Sequence, residues 1–222
     1  MYLTQKSVAR KILMGVTGIF LLLFIIGHML GNTTIFGGQG SLNSYAHHIH
    51  SLGPLIWLER IFLSAVAVVH IGFGILLTLE NRQARPTGYV KRHYVRSTVF
   101  SRTMIYSGLF ILAFVIFHLF HFTFRVTHPE ISHLVDSAGQ HDVYSMVVLS
   151  FQKGVVSLIY IVGLLALLFH LSHGVLSLFQ TMGWNSDRFI SSIDKAGKGA
   201  AIVLFIGFIA VPVSILLGFL NS

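Results

Sequence analysis

FLLLFIIGHMLG, residues 20–31, decides the fold: an unbroken apolar run with a histidine, His28, in its interior. Three more runs repeat the arrangement: AVAVVHIGFGILL (65–77) holds His70, LFILAFVIFHLFHF (109–122) holds His118 and His121, and IVGLLALLFHLSHG (161–174) holds His170 and His173. Runs of roughly 20 apolar residues match a hydrocarbon core of about 30 Å at the helical rise per residue. Reading outward from these four, with one further apolar run near the C-terminus, predicts five transmembrane helices near 11–35, 56–80, 99–124, 146–179 and 200–220. The fold class expected is all-α, an integral membrane bundle in which residues 1–222 form one domain. The first run is too long for a signal peptide, and Gly27, His28, Gly31 and Asn32 have no place in a signal h-region.

Composition agrees. The 222 residues are 54% hydrophobic and only 10% charged, with a mean hydropathy of +0.78, whereas soluble domains carry about 25% charged residues. The formal net charge is +8, and its placement excludes a nucleic-acid role. Lys6, Arg10, Lys11, Arg82, Arg85, Lys91, Arg92, Arg96, Arg102, Arg188, Lys195 and Lys198, 12 of the 15 basic residues, fall at the N-terminus or in the second and fourth connections. The positive-inside rule then puts the N-terminus and the 81–98 and 180–199 connections in the cytoplasm, and the 36–55 and 125–145 loops outside. A basic cytoplasmic face also suits anionic lipid headgroups or a docking partner. With no cysteine in the chain, thiolate ligation of an iron–sulfur cluster and disulfides within it are excluded.

Histidine inside a membrane helix is costly to desolvate and calls for a partner. Four of them in four helices are most simply satisfied by iron of b-type haem, ligated by paired imidazoles. Depth sorts them. His28 and His118 lie some 17 and 19 residues from the cytoplasmic end of their helices, toward the outer side at about 1.5 Å per residue. His70 and His170 are carried by helices running the other way and lie toward the inner side. The expectation is an outer pair, His28 with His118, and an inner pair, His70 with His170, each binding one haem b. Taken singly, an intramembrane histidine is as well explained by interhelical hydrogen bonding. Small residues on the same helices (Gly15, Gly18, Gly27, Gly31, Gly72, Gly74, Gly108, Gly163, Gly174) allow close approach of a porphyrin or simply of another helix. His121 and His173 follow proposed ligands by three residues, on nearly the same face, and spacing alone does not choose between the members of each pair. His47, His48 and His50 read as solvated outer loop, or as a metal or proton-relay cluster.

The stretches Gly27-His28-Met29-Leu30, Val69-His70-Ile71-Gly72-Phe73-Gly74, Ser107-Gly108 with His118-Leu119-Phe120, and Phe169-His170-Leu171-Ser172-His173-Gly174 followed by Gly183-Trp184 together resemble the di-haem cytochrome b anchor of succinate dehydrogenases and fumarate reductases of the single-anchor, five-helix type. The resemblance spans essentially the whole chain and rests on order, spacing and helix count rather than on any one motif. It implies His28, His70, His118 and His170 as the four axial ligands, with the inner haem held from helices two and four and the outer from one and three. It implies a flavoprotein and an iron–sulfur subunit as partners, menaquinone as the electron acceptor, a bacterial cytoplasmic membrane and a place in the tricarboxylic acid cycle, with the complexes able to assemble further. The chain itself would hold no dicarboxylate. Quinone chemistry needs an acid/base group beside a lipid-accessible pocket, for which Glu59 and Arg60 are the candidates, with His47, His48 and His50 behind them. Arg10, Lys11, Arg102 and Thr181 are placed to meet the inner haem propionates. Some fumarate-reducing members carry a glutamate two residues before the fourth ligand; here that residue is Leu168, which favours a succinate:menaquinone reductase over a quinol:fumarate reductase. Competing classes are the b-type subunit of a hydrogenase or formate dehydrogenase, in which two ligands share one helix, and a transporter whose histidines relay protons and which would show no visible-band absorbance.

Overall fold

The computed structural model describes residues 2–84, 99–184, 186 and 188–221, with side chains described outside 2–7 and 99–102. The chain is all-α: α1 (Tyr2–Thr33), α2 (Gln39–Ser51), α3 (Pro54–Gln83), α4 (Val99–His118), α5 (Pro129–Ser132), α6 (Val143–Gln152), α7 (Gly154–Thr181) and α8 (Ile190–Leu216), with a 3-10 turn at Thr34–Gly37 and a π-helical turn at Leu119–Thr123. Among the described residues five segments are long and apolar enough to cross a membrane: Val8–Gly37, Pro54–Gln83, Thr103–Thr123, Gly154–Thr181 and Ile190–Leu216. Their outward residues are large and apolar, as a lipid-facing surface requires: Ile61, Val68, Val155 and Val203 are all exposed. The basic connection 85–98, with Arg85, Lys91, Arg92, His93 and Arg96, lies outside the described residues, as do the side chains of Lys6 and Arg102.

Three boundaries differ from those expected. The apolar stretch 146–179 is two helices, because the chain breaks at Lys153, whose backbone is extended, and restarts at Gly154. The break is bridged locally: Ser157 N–H donates to Lys153 O at 3.1 Å and Ser157 Oγ donates to Phe151 O at 2.5 Å. The fifth span begins ten residues earlier than 200, since Asp194 and Lys198 pair within one turn at 2.6 Å and let the helix extend into the polar zone. The 36–55 segment, expected as loop, carries α2, which is held down by buried Leu42 and Asn43.

Helices α1, α3, α4 and α7 stand at the corners of a square: α1 packs on α3, α3 on α4, α4 on α7 and α7 on α1, while α8 covers α7 and α1 from outside. The diagonals, α1 with α4 and α3 with α7, are not among the closely packed pairs. Space along the bundle axis is therefore crossed by side chains rather than filled by backbone.

One end of the bundle is sealed by a polar cap that joins distant parts of the chain. Asn43 Nδ2 donates to Asp136 at 3.2 Å and to Asp142 at 3.0 Å, and Asn43 Oδ1 accepts from Tyr144 N–H at 2.9 Å. Asp142 also accepts from Gln39 at 2.8 Å and caps α6 through Ser145 N–H at 3.0 Å. The Tyr144 hydroxyl donates to the carbonyl of Asn221 at 3.0 Å. Burial alone would raise the Asp142 carboxyl, but donation from Ser145, Asn43 and Gln39 outweighs it and holds the group below its ordinary value. A depressed carboxylate stabilises the fold above its unfolded pKa, and that contribution is lost as pH falls through the lower, folded value. Asp142→Ala is expected to cost about 1–2 kcal/mol, as for the loss of a good N-cap. Thermal unfolding in detergent should show that deficit at pH 7 and a smaller one at pH 3.

Candidate functional site

The two diagonals are bridged by histidines. His28 on α1 meets His118 on α4 with ring centroids 5.8 Å apart, and His70 on α3 meets His170 on α7 at 6.4 Å. Two imidazoles sharing one metal, with metal–nitrogen bonds of about 2 Å each, place their centroids about 6 Å apart. Both pairs have that separation. Neither His121 nor His173 takes part: His121 packs on Phe122 and His128, and His173 lies toward Asp194 and Lys198 on α8.

The His70–His170 pair is oriented by a motif that occurs twice. His70 Nδ1 lies 3.1 Å from Met14 O and 3.3 Å from Thr17 Oγ1, whose hydroxyl already donates to Leu13 O at 2.8 Å. A carbonyl only accepts, so Nδ1 of His70 carries the proton and its Nε2 lone pair is left for the space between the helices. His170 repeats this with Ser107: Nδ1 is 3.2 Å from Ser107 Oγ, which donates to Met104 O at 3.0 Å, and the Met104 carbonyl also accepts from the ring. Glycine follows the hydroxyl residue both times. A Cβ on Gly18 would sit 3.4 Å from His70 Cε1, and one on Gly108 would sit 3.4 Å from His170 Cε1. Met14, Thr17, Gly18 and His28 on α1 thus correspond, at a constant offset of 90 residues, to Met104, Ser107, Gly108 and His118 on α4.

That correspondence sets the depth of the pairs. From Thr17 to His28 and from Ser107 to His118 are 11 residues each, about 16 Å of helical rise. The His28–His118 pair therefore lies one such step from the His70–His170 pair along both helices. Its surroundings differ. The His28 ring stacks on Phe24 and touches Phe208 of α8, and Asn32 Nδ2 donates to His28 O at 2.7 Å. His118 Nδ1 lies 3.2 Å from the hydroxyl of Tyr160 on α7. The π-helical turn that begins after His118, closed by Phe124 N–H to Leu119 O at 2.7 Å, lets His121 Nδ1 reach the same hydroxyl at 3.0 Å. π-turns of this kind are often found at functional sites.

The other glycines separate by neighbour. Gly15 packs on Met182 and Leu178, Gly31 on Tyr45 and Gly163 on Phe114, which is helix packing; among the described glycines only Gly18 and Gly108 face histidines. Among the described residues no group of three or more His, Asp or Glu side chains is placed to hold a metal ion, so the histidine pairs are the sites to consider, and His47, His48 and His50 on α2 form no such cluster. The quinone candidates lie at the end of α3 nearest the polar cap. Glu59 lines a shallow apolar concavity with Leu55, Leu58 and Phe62. Arg60, the next residue, points elsewhere, with its guanidinium 5.1 Å over the Trp57 ring. Partial burial, then the positive charges of Arg60 and Arg125, hold His50 below its ordinary pKa. At the opposite end Arg10 is ion-paired with Glu80, and Lys11 shares a groove with Ser177, Gln180 and Thr181.

Thr17 and Ser107 are given no role by the sequence, Ser107 entering only within the resemblance, and Tyr160 does not enter at all. The 90-residue correspondence was the available signal for the first two; a tyrosine in an apolar run gives none. Comparison with family models, with curated proteins and with solved structures finds no match.

Proposed function

We propose that the chain is the membrane anchor and di-haem electron-transfer subunit of a succinate:menaquinone oxidoreductase, passing electrons from an iron–sulfur partner to quinone. The observation that carries the reading is the pairing of four intramembrane histidines across the two diagonals of one bundle, at two depths, with ring separations suited to a shared metal. Bound haem would supply one-electron chemistry at each level. The chain's own residues do the rest. His70 and His170 present Nε2 because Met14, Thr17, Met104 and Ser107 hold their Nδ1 protons; His28 and His118 form the outer pair. Lys11 and Thr181 line one groove and would meet propionates from there, while the Arg10 guanidinium is engaged by Glu80. Glu59, exposed in its apolar concavity, is the group to give or take a quinone proton beside lipid, and Arg60 adds positive charge nearby. The basic N-terminal end, read as cytoplasmic in a bacterial cytoplasmic membrane, is where the flavoprotein and iron–sulfur subunits dock.

The test is a reduced-minus-oxidised absorbance spectrum of the purified complex, with succinate as sole reductant, beside a pyridine haemochrome count. About two b haems per chain, at least partly reduced by succinate, are expected. No haem overturns the reading. Two haems that succinate leaves oxidised, but that hydrogen or formate reduces in the native membrane, move the chain to the anchor of another oxidoreductase.

A further inference from the structure

Tyr160 stands between two histidines that the pairing treats differently. Its hydroxyl lies 3.2 Å from His118 Nδ1 and 3.0 Å from His121 Nδ1. A hydroxyl has one proton to give. It donates to one Nδ1 and must accept from the other, so the two rings are locked in opposite tautomers. If His118 offers Nε2 toward His28, its Nδ1 carries the proton and donates to Tyr160 Oη. Tyr160 O–H then donates to His121 Nδ1, and neutral His121 carries its own proton on Nε2.

The surroundings of His121 agree with this direction. His121 is only 1% exposed, and its Nε2 is buried without a hydrogen-bond partner in the chain. The neighbouring ring is His128, 5.4 Å away between centroids, whose Nδ1 is likewise buried and unpartnered. An Nε2–H on His121 and an acceptor Nδ1 on His128 are complementary, directly or through one water. The opposite assignment would put the His118 proton on Nε2, aimed at His28 and away from any metal role.

We propose that Tyr160 is a positioning residue which fixes His118 with Nδ1 protonated and Nε2 turned toward His28, and that His121 completes this by accepting the tyrosine proton. The inference rests on the haem reading above and adds to it an asymmetry between the sites. The inner ligands are oriented by backbone carbonyls and aliphatic hydroxyls, the outer ligand His118 by a phenol whose acceptor strength depends on a second histidine. Hydrogen bonding to the Nδ1 proton makes the imidazole a stronger donor and favours ferric iron.

Tyr160→Phe removes one oxygen and keeps the ring contacts with Phe114 and Phe151. The measurement is haem content by pyridine haemochrome, with a potentiometric titration of both haems in the purified protein. Expected are two haems retained, the inner potential unmoved, and the outer couple shifted toward the ferrous form by about tenfold, or about 59 mV for one electron. His121→Phe is expected to move the same haem in the same direction by less, because Tyr160 then loses its acceptor, and it carries the test should Tyr160→Phe fail to accumulate. Two haems with unmoved potentials in both variants overturn the role of Tyr160 and leave the haem reading standing. Absence of haem from the unsubstituted protein instead overturns that reading.

Discussion

His118→Ala is expected to lower the haem content from about two per chain to about one, and His28→Ala to remove the same haem. On the proposed function each pair would share one iron across a diagonal, so losing either imidazole would leave its partner alone in an apolar bundle. The pairing makes a sharper demand than either substitution alone. Combining His28→Ala with His118→Ala should cost nothing beyond the first, because both act on one site, whereas His28→Ala with His170→Ala should leave no haem. Non-additivity within a site and additivity between sites is the signature of two independent centres. The measurement is a haemochrome count on the two single and two double variants, normalised to protein. If the His28/His118 double lost both haems and the His28/His170 double kept one, the diagonal pairing would be wrong, and ligation along the square's edges would replace it.

Substituting Gly108 by leucine is expected to be as damaging to one haem as deleting its ligand, though no ligand is touched. Ordinary van der Waals contact with His170 Cε1 would already be reached by a Cβ, at 3.4 Å. The three further carbons of leucine have no room unless the imidazole swings off its Ser107 and Met104 partners. Gly18→Leu should act in the same way on His70, and both should remove the inner haem while the outer one persists. Gly72→Leu is the control, since nothing lies within 4 Å of its Cβ position, and it should retain both. Haem content and the shape of the α-band in the reduced spectrum distinguish these outcomes. Two haems in Gly108→Leu would show that the inner site tolerates a displaced His170 and that the glycine serves helix packing.

The five spans were legible because hydropathy responds to composition over about 20 residues, a scale on which Val8–Gly37 and Pro54–Gln83 are unmistakable. The same averaging hides the break at Lys153. The short stretch Gln152-Lys153-Gly154, set between Phe151 and Val155, barely lowers a window mean, yet the extended backbone of Lys153 separates α6 from α7. The matching of the first helix with the third and of the second with the fourth followed from depth, since helix direction alternates and rise per residue is constant, whereas the choice of His118 over His121 and of His170 over His173 came from the resemblance. Depth does not identify neighbours on the adjacent helix. Thr17 and Ser107 look like ordinary polar residues in apolar runs, and their relation to His70 and His170 spans 53 and 63 residues of chain. Tyr160 is harder still, because its second histidine, His121, is brought to the hydroxyl by the π-turn after His118.

The diagonal arrangement also constrains how such a protein comes into being. Translation releases α1 first and α7 late, and the partners of each histidine pair are 90 and 100 residues apart in the chain. A nascent polypeptide that has delivered α1 and α3 to the bilayer holds His28 and His70, each without its partner. Arrival of α4 brings His118, but Tyr160 and His170 are still in the ribosomal tunnel or the insertion machinery. The His70–His170 site is incomplete until the second half of the chain has closed the square, and the His28–His118 site lacks Tyr160 until then. If haem is held as proposed, loading of the His70–His170 site is thereby tied to the insertion of α7, and a product truncated before α7 would offer only the His28–His118 pair, without its tyrosine.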